Sequence, residues 1–265
     1  MGRRLLRVGV LGYLAALLFV PVGMIAYRTF AHGLHPVWTA LTSPAAMHAA
    51  LLSIEITAIC VPINVLFGIA AGWLIARGRM PARRLVDAVI ALPFALSPVA
   101  VGLALYVLYG RTSTIGAWLA AHGVQVLFSP LGMILATLII TLPFAVREVV
   151  PVLEEIGTEQ EQAAATLGSG GLEAFLRVTL PAIRWAIVYG VVLTAARALG
   201  EFGAVSIVSG NIVGQTQTLP LYVEERFRTF DTTAAYSAGF LLALISLLIL
   251  AAMSLLTRRR TREVS

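Results

Sequence analysis

Arg197 and Glu201 stand four residues apart in an otherwise apolar run, Trp185 to Val208. On a helix that spacing puts both side chains on one face, where they can pair. A lone arginine near mid-bilayer costs about 2.5–3.5 kcal/mol on insertion scales, so the two are expected to point away from lipid. Two roles fit them. Arg197 lines or gates an anion path with Glu201 balancing it when the path is empty, or the two form a structural ion pair joining helices. Glu55, in the run Leu51 to Ala76, invites a proton-relay reading, but a place near the outer end favours an interfacial or interhelical hydrogen bond. Asp87 lies near an inner end and is expected to cap or snorkel. His32, His35, His48 and His122 show no metal-ligand spacing. Cys60 is the single cysteine, which leaves neither a disulfide framework nor a cysteine metal site. Ser209 to Thr218 is rich in Gly, Asn, Gln and Thr, which suits neutral donors to an oxyanion and equally an ordinary outside or re-entrant loop. No nucleophile is grouped with an acid–base pair and no Walker-type glycine loop occurs, so no catalytic residue and no cofactor are expected in this chain.

The elements that carry these residues are set by lipid. With 59% hydrophobic and 12% charged residues in 265, the chain has too little polar surface for a soluble globule of its size. A bilayer core of about 30 Å needs about 20 apolar residues per helix. Six windows answer that need: Val8 to Tyr27, Leu51 to Ala76, Ala88 to Gly110, Leu131 to Val146, which extends an uncharged stretch that begins at Thr112, Trp185 to Val208, and Thr232 to Thr257. The first exceeds a normal signal-peptide core and is read as a retained helix. All 19 basic residues are arginine, and most flank the windows, which argues for a topology signal over nucleic-acid binding. Fourteen fall on one side: Arg3, Arg4, Arg7, Arg77, Arg79, Arg83, Arg84, Arg147, Arg177, Arg184, Arg258, Arg259, Arg260 and Arg262. Arg28, Arg111, Arg226 and Arg228 fall opposite. The positive-inside rule places the two termini in the cytoplasm, and the even helix count agrees by putting both on one side.

Between the windows, Arg28 to His48 reads as an outside loop because of Gly33, Pro36 and Pro44. Pro93 and Pro98 are expected to bend or break the third span. Arg111 to Pro130 is a second outside loop, with Trp118 near the interface. The one sizeable polar segment is cytoplasmic, 147–184, and holds Glu148, Glu154, Glu155, Glu159, Glu161 and Glu173. Thr158 and Glu161 have capping-box spacing before three alanines, and Gly168 to Gly171 then turns the chain into a second short helix ending near Pro181.

That segment resembles the cytoplasmic signature of permeases of bacterial ATP-binding-cassette importers: Glu-Ala-Ala, three residues, Gly, nine residues, Ile, one residue, Leu-Pro. Here Gln162, Ala163 and Ala164, then Gly168, then Val178, Leu180 and Pro181 match the spacing. Gln162 replaces the glutamate, with Glu161 one residue earlier, and Val178 replaces isoleucine. Leu51-Leu52-Ser53, and Gly68 with Ala71 to Arg77, also resemble the usual permease pattern. The run Arg197 to Val205, with Ser209-Gly210-Asn211 and Gly214 to Leu221, is similar to sulfate and molybdate permeases. Val146 to Glu155 looks more like the sulfate and thiosulfate permeases of the CysW type.

The resemblance implies an all-α integral membrane protein with a type I importer permease fold of about six helices. It divides into a first helix and outside loop (1–46), a permease core (47–256) and a basic tail (257–265). It also implies a coupling element, carried by Glu161, Gln162, Ala163, Ala164, Gly168, Val178, Leu180 and Pro181, that seats in an ATPase subunit. Two ATPase subunits would bind ATP and Mg, a second, nonidentical permease would complete the pathway, and an extracytoplasmic sulfate-binding protein would deliver the ion across a bacterial inner membrane. A homodimeric molybdate or tungstate permease is the alternative. A polytopic membrane enzyme or a proton-driven carrier fits less well, because the acidic residues outside the cytoplasmic segment are scattered and no internal repeat is visible.

Overall fold

The computed structural model describes residues 2–78 and 83–263, and every regular element among them is helical. α1 (Gly2–Phe30) stops before Gly33, whose φ of 90° suits glycine, and α2 (Leu34–Leu41) follows at once. Ser43 then caps α3 (Pro44–Ala76), its hydroxyl accepting from the Ala46 amide at 3.3 Å. The segment expected as a loop is therefore largely helical. Its prolines sit in first turns, where the missing N–H has no intrahelical partner to lose, so they mark helix starts.

α4 (Arg83–Ala95) and α5 (Pro98–Tyr109) form one span bent by 105°, the break expected from Pro93 and Pro98. The next loop holds α6 (Thr114–Ala121), capped by Ser113 at 2.9 Å from the Gly116 amide. α7 (Pro130–Ile156) runs well past the apolar window that ends at Val146. After it come α8 (Glu159–Thr166), α9 (Gly171–Ala174), a π-helical turn (Phe175–Thr179), α10 (Leu180–Ala182) and α11 (Arg184–Leu199). α12 (Gly203–Val208), α13 (Leu219–Arg228) and α14 (Thr232–Glu263) complete the chain.

By length and composition, α1, α3, α7 and α14 can each cross a membrane, and two bent pairs bring the number to six. The second bent pair joins Gly171–Ala182 to α11 at 67°. The expected single helix from Trp185 to Val208 is thus corrected: it is divided after Leu199, and α12 starts anew at Gly203.

α3, α7 and α11 form the centre. A Cβ on Gly68 would stand 2.6 Å from the Ala145 Cβ, one on Gly72 2.9 Å from the Val149 Cγ1, and one on Gly190 3.3 Å from the Ala145 Cα. Lipid provides no hydrophobic drive between helices, so such close approach, with hydrogen bonds, holds them together. Asn64 supplies the bonds, its amide donating to the Leu138 carbonyl (3.1 Å) and the Thr141 hydroxyl (2.7 Å). Cys60 is buried here among Leu52, Ile56, Met133, Ala136 and Val205. At the other face of α12, Gly203 lies against Pro98, and Gly102 of α5 lies against Ala204.

The arginines sort by end. Arg77, Arg83 and Arg177 pair with Glu161, Glu154 and Glu173 at the end that holds α8 and α9. Arg226 and Arg228 pair with Asp231 and Glu224 at the other. Arg79 and the side chains of Arg3, Arg4, Arg258, Arg259, Arg260 and Arg262 lie outside the described residues.

Candidate functional site

The hairpin between α7 and α11 is built around one backbone angle. Gly168 takes φ +88°. Its amide donates to the Ala165 carbonyl and the Ser169 amide to the Ala164 carbonyl, both at 3.0 Å. This is a Schellman closure of α8, and the left-handed residue it demands is most cheaply glycine. A short helix, a glycine turn and a second short helix result, as the sequence suggests. The second arm widens to a π turn before Pro181, with the Leu180 amide donating to the Phe175 carbonyl five residues back. Ile183 anchors the arm, buried against Val149, Leu153 and Ala186.

The capping box expected from Thr158 and Glu161 does not form, because stronger partners claim the carboxylate. Thr158 makes no side-chain cap, and the Gln162 amide donates to its hydroxyl at 2.9 Å. Glu161 instead receives Arg77, at 2.7 Å from Nη2 to Oε1 and 3.0 Å from Nε to Oε2. The Thr179 hydroxyl donates to the same carboxylate at 2.6 Å. Ala163 and Gln162 face outward, Ala164 is half-buried, and Leu167 and Leu172 are 89% and 72% exposed. Val178 and Leu180 are half-buried, and Pro181 is exposed. Exposed leucines around a turn in a polar segment form an apolar patch that water does not favour.

Arg197 and Glu201 do pair, at 2.6 Å between Nη1 and Oε2. Their surroundings differ: the Arg197 side chain is 30% exposed and that of Glu201 only 1%. Glu201 Oε1 accepts from the Ala204 amide at 2.9 Å, so this carboxylate both neutralises α11's arginine and caps α12. A cavity of about 10 Å³ beside it, room for roughly one water, is lined by Ser53, Thr137 and Thr218. The two are thus at the surface and inside the core respectively.

The polar loop from Ser209 to Thr218 bonds in part to itself and in part to α13. The Thr216 hydroxyl donates to the Ser209 carbonyl (2.6 Å), and the Gln217 amide donates to Asn211 Oδ1 (3.1 Å) and Glu225 Oε2 (3.3 Å). Thr216 and Gln217 are buried. Glu55 is exposed and lies about three turns, ~16 Å, inside α3, because α3 starts at Pro44, within the segment expected as an outside loop. Asp87 pairs with Arg83 at 3.8 Å, both half-exposed.

Residues 64–262 match the family described as the binding-protein-dependent transport system inner membrane component. The chain belongs to this family. It is 45% identical to the sulfate transport system permease protein CysW of Synechocystis sp., over 93% of this chain and 90% of that one. To the sulfate transport system permease protein CysT of Escherichia coli it is 36% identical, over 95% of this chain and 91% of that one. Its fold is that of a bacterial ABC transporter involved in the import of the acidic polysaccharide alginate, with a TM-score of 0.78, 17% identity, and coverage of 97% of this chain and 96% of that one. This inner membrane component is therefore a transporter permease subunit and not an enzyme. Sequence reasoning about it missed Arg77 as a site residue. An arginine at the end of an apolar window reads as a topology charge, and no local spacing links it to Glu161 and Thr179.

Proposed function

We propose that the chain is the transmembrane permease of an ATP-driven importer of sulfate, with thiosulfate as a second substrate. One observation carries the substrate: the 45% identity to a CysW-named sulfate permease, maintained along 93% of the chain. The lower identity to a CysT-named protein supports a second, nonidentical permease as the partner across the pathway. In a bacterial inner membrane, this pair is served by two ATPase subunits inside, which bind ATP and Mg, and by a sulfate-binding protein outside.

The geometry supports coupling at the hairpin. Leu167 and Leu172 frame the Gly168 turn at the arginine-rich end, and an ATPase groove would cover that apolar patch. Glu161, Gln162, Ala163, Ala164, Gly168, Val178, Leu180 and Pro181 form or fix the element. At the opposite end, a cavity of about 680 Å³ lined by His35, Thr39, Tyr222, Arg226 and Asp231 supports a face for the binding protein. Arg197 is the arginine in the spans whose partial exposure suits an oxyanion path or gate, while Glu201 holds it in place from within the core. ATP-driven closure of the ATPases opens the pathway between the two permeases outward, and hydrolysis resets it inward; this chain contributes walls and transmission.

The test is uptake of labelled sulfate in cells lacking this chain, with and without its restoration, in the presence of excess molybdate or thiosulfate and after ATP depletion. Restored, ATP-dependent uptake that resists molybdate is expected. ATP-dependent molybdate uptake without sulfate uptake overturns the substrate and keeps the importer.

A further inference from the structure

Arg77 follows the last residue of α3, in the C-cap position, where an arginine ordinarily reaches for water. Its side chain is instead only 5% exposed. The guanidinium divides its donors between two elements: Nε and Nη2 fork onto Glu161 of α8, and Nη1 donates to the Leu153 carbonyl of α7 at 3.0 Å. The Glu161 carboxylate takes its further bond from Thr179 in the π turn. Three side chains thereby join four elements, the ends of α3 and α7 and both arms of the hairpin. Only a planar fork with several fixed donors can do this, whereas a lysine has one point charge to offer.

The other ion pairs at this end are different in kind. Arg83 with Glu154 and Arg177 with Glu173 are well exposed, and solvent makes such pairs weak. Around Arg77 the side chains pack more closely, with Trp73 of α3 meeting Phe175 of the second arm edge-on at 6.1 Å between centroids, beside an open pocket of about 350 Å³ that Arg77, Glu161 and Thr179 also line. Above the joint, Gly68 and Gly72 seat α3 tightly on α7.

We propose that the Arg77–Glu161–Thr179 cluster is the joint that passes movement of the hairpin to α3 and α7, with Arg77 as its positioning residue. This rests on the coupling reading above and deepens it. Because the Glu161 carboxylate is engaged within the chain, it serves transmission and leaves the surface contact with an ATPase to the exposed groups around Gly168. Without the joint, the hairpin can swing at the π turn while α3 and α7 stay in place.

The experiment uses the full complex in lipid vesicles with its binding protein and labelled sulfate, and reads ATP hydrolysed per sulfate taken up. Arg77→Gln is expected to raise that ratio at least about fivefold, the low end of typical coupling between sites, with Arg77→Lys between it and the wild type. Should Arg77→Gln fail to assemble, Glu161→Gln carries the test by the same ratio. Spin labels at exposed Gln160 of α8 and Leu66 of α3 give a second reading. Their distance is expected to be narrow in the wild type with and without ATP and to broaden in either variant. An unchanged ratio together with an unchanged distance distribution overturns the joint alone. A wild type that takes up no sulfate on ATP hydrolysis overturns the coupling reading and the joint together.

Discussion

At Gly168 the backbone needs φ +88°, while open space surrounds the position a Cβ would take. The requirement within this chain is thus conformational, and an alanine there costs about 1–2 kcal/mol through the left-handed region alone. Gly168→Asp adds a charge at the turn between Leu167 and Leu172. The protein is expected to stay in the membrane, lose transport and release the ATPase, as measured by uptake and co-purification; normal transport would refute a docking role. Arg197 and Glu201 divide differently from the way their spacing suggests, since one is partly exposed and the other is a buried helix cap. Arg197→Gln is expected to lower sulfate uptake at an undiminished amount of assembled complex. Loss of assembly instead would assign the pair to structure alone. Glu201→Ala removes a cap worth about 1 kcal/mol and strands the arginine, so loss of folded protein is its expected outcome.

Among the elements, α3 and α7 carry the fold, and their contact leaves no room at Gly68. Gly68→Leu is expected to destabilise the protein by about 1–3 kcal/mol or to block its accumulation, as read by thermal unfolding in detergent and yield from membranes. Asn64→Ala loses two interhelical bonds and is expected to cost about 1 kcal/mol in the same assay, with packing otherwise intact. The apolar windows made these helices legible, because a span must satisfy its own backbone and show roughly 20 apolar residues. Short helices were less legible. α2, α6 and α13 are eight to ten residues long and lie outside the windows, and Gly33, Ser113 and Pro220 at their starts look like loop composition; of the three, α6 alone has a side-chain cap, from Ser113. The reading of Trp185 to Val208 as one helix failed for a related reason. The sequence is apolar on both sides of Glu201, while the break is made by this carboxylate, which bonds the first turn of the next helix.

For the whole molecule, the distribution of arginines predicts a definite orientation in the membrane. Single cysteines at Gln160 and at Thr112 are expected to react with a membrane-impermeant reagent from the cytoplasmic and outer sides respectively, while Cys60, fully buried, stays silent. Labelling of both positions from one side would overturn the topology. The sequence by itself determined the membrane class, the six apolar windows and the hairpin motif, and it predicts the orientation. All of these rest on local composition, charge beside a window, or fixed spacing along the chain. Only the tertiary structure decided which side chain Glu161 answers to, which of Arg197 and Glu201 is buried, and that the polar loop before α13 bonds in part to itself and in part to α13. The first outcome turns on partners far apart in sequence, Arg77 with Glu161, as does the bond from the Leu219 amide to Ser53; the other two turn on which of several short-range polar contacts the packing selects and buries. Burying a polar group is costly unless a partner meets it, and a chain read one window at a time cannot show which partner arrives.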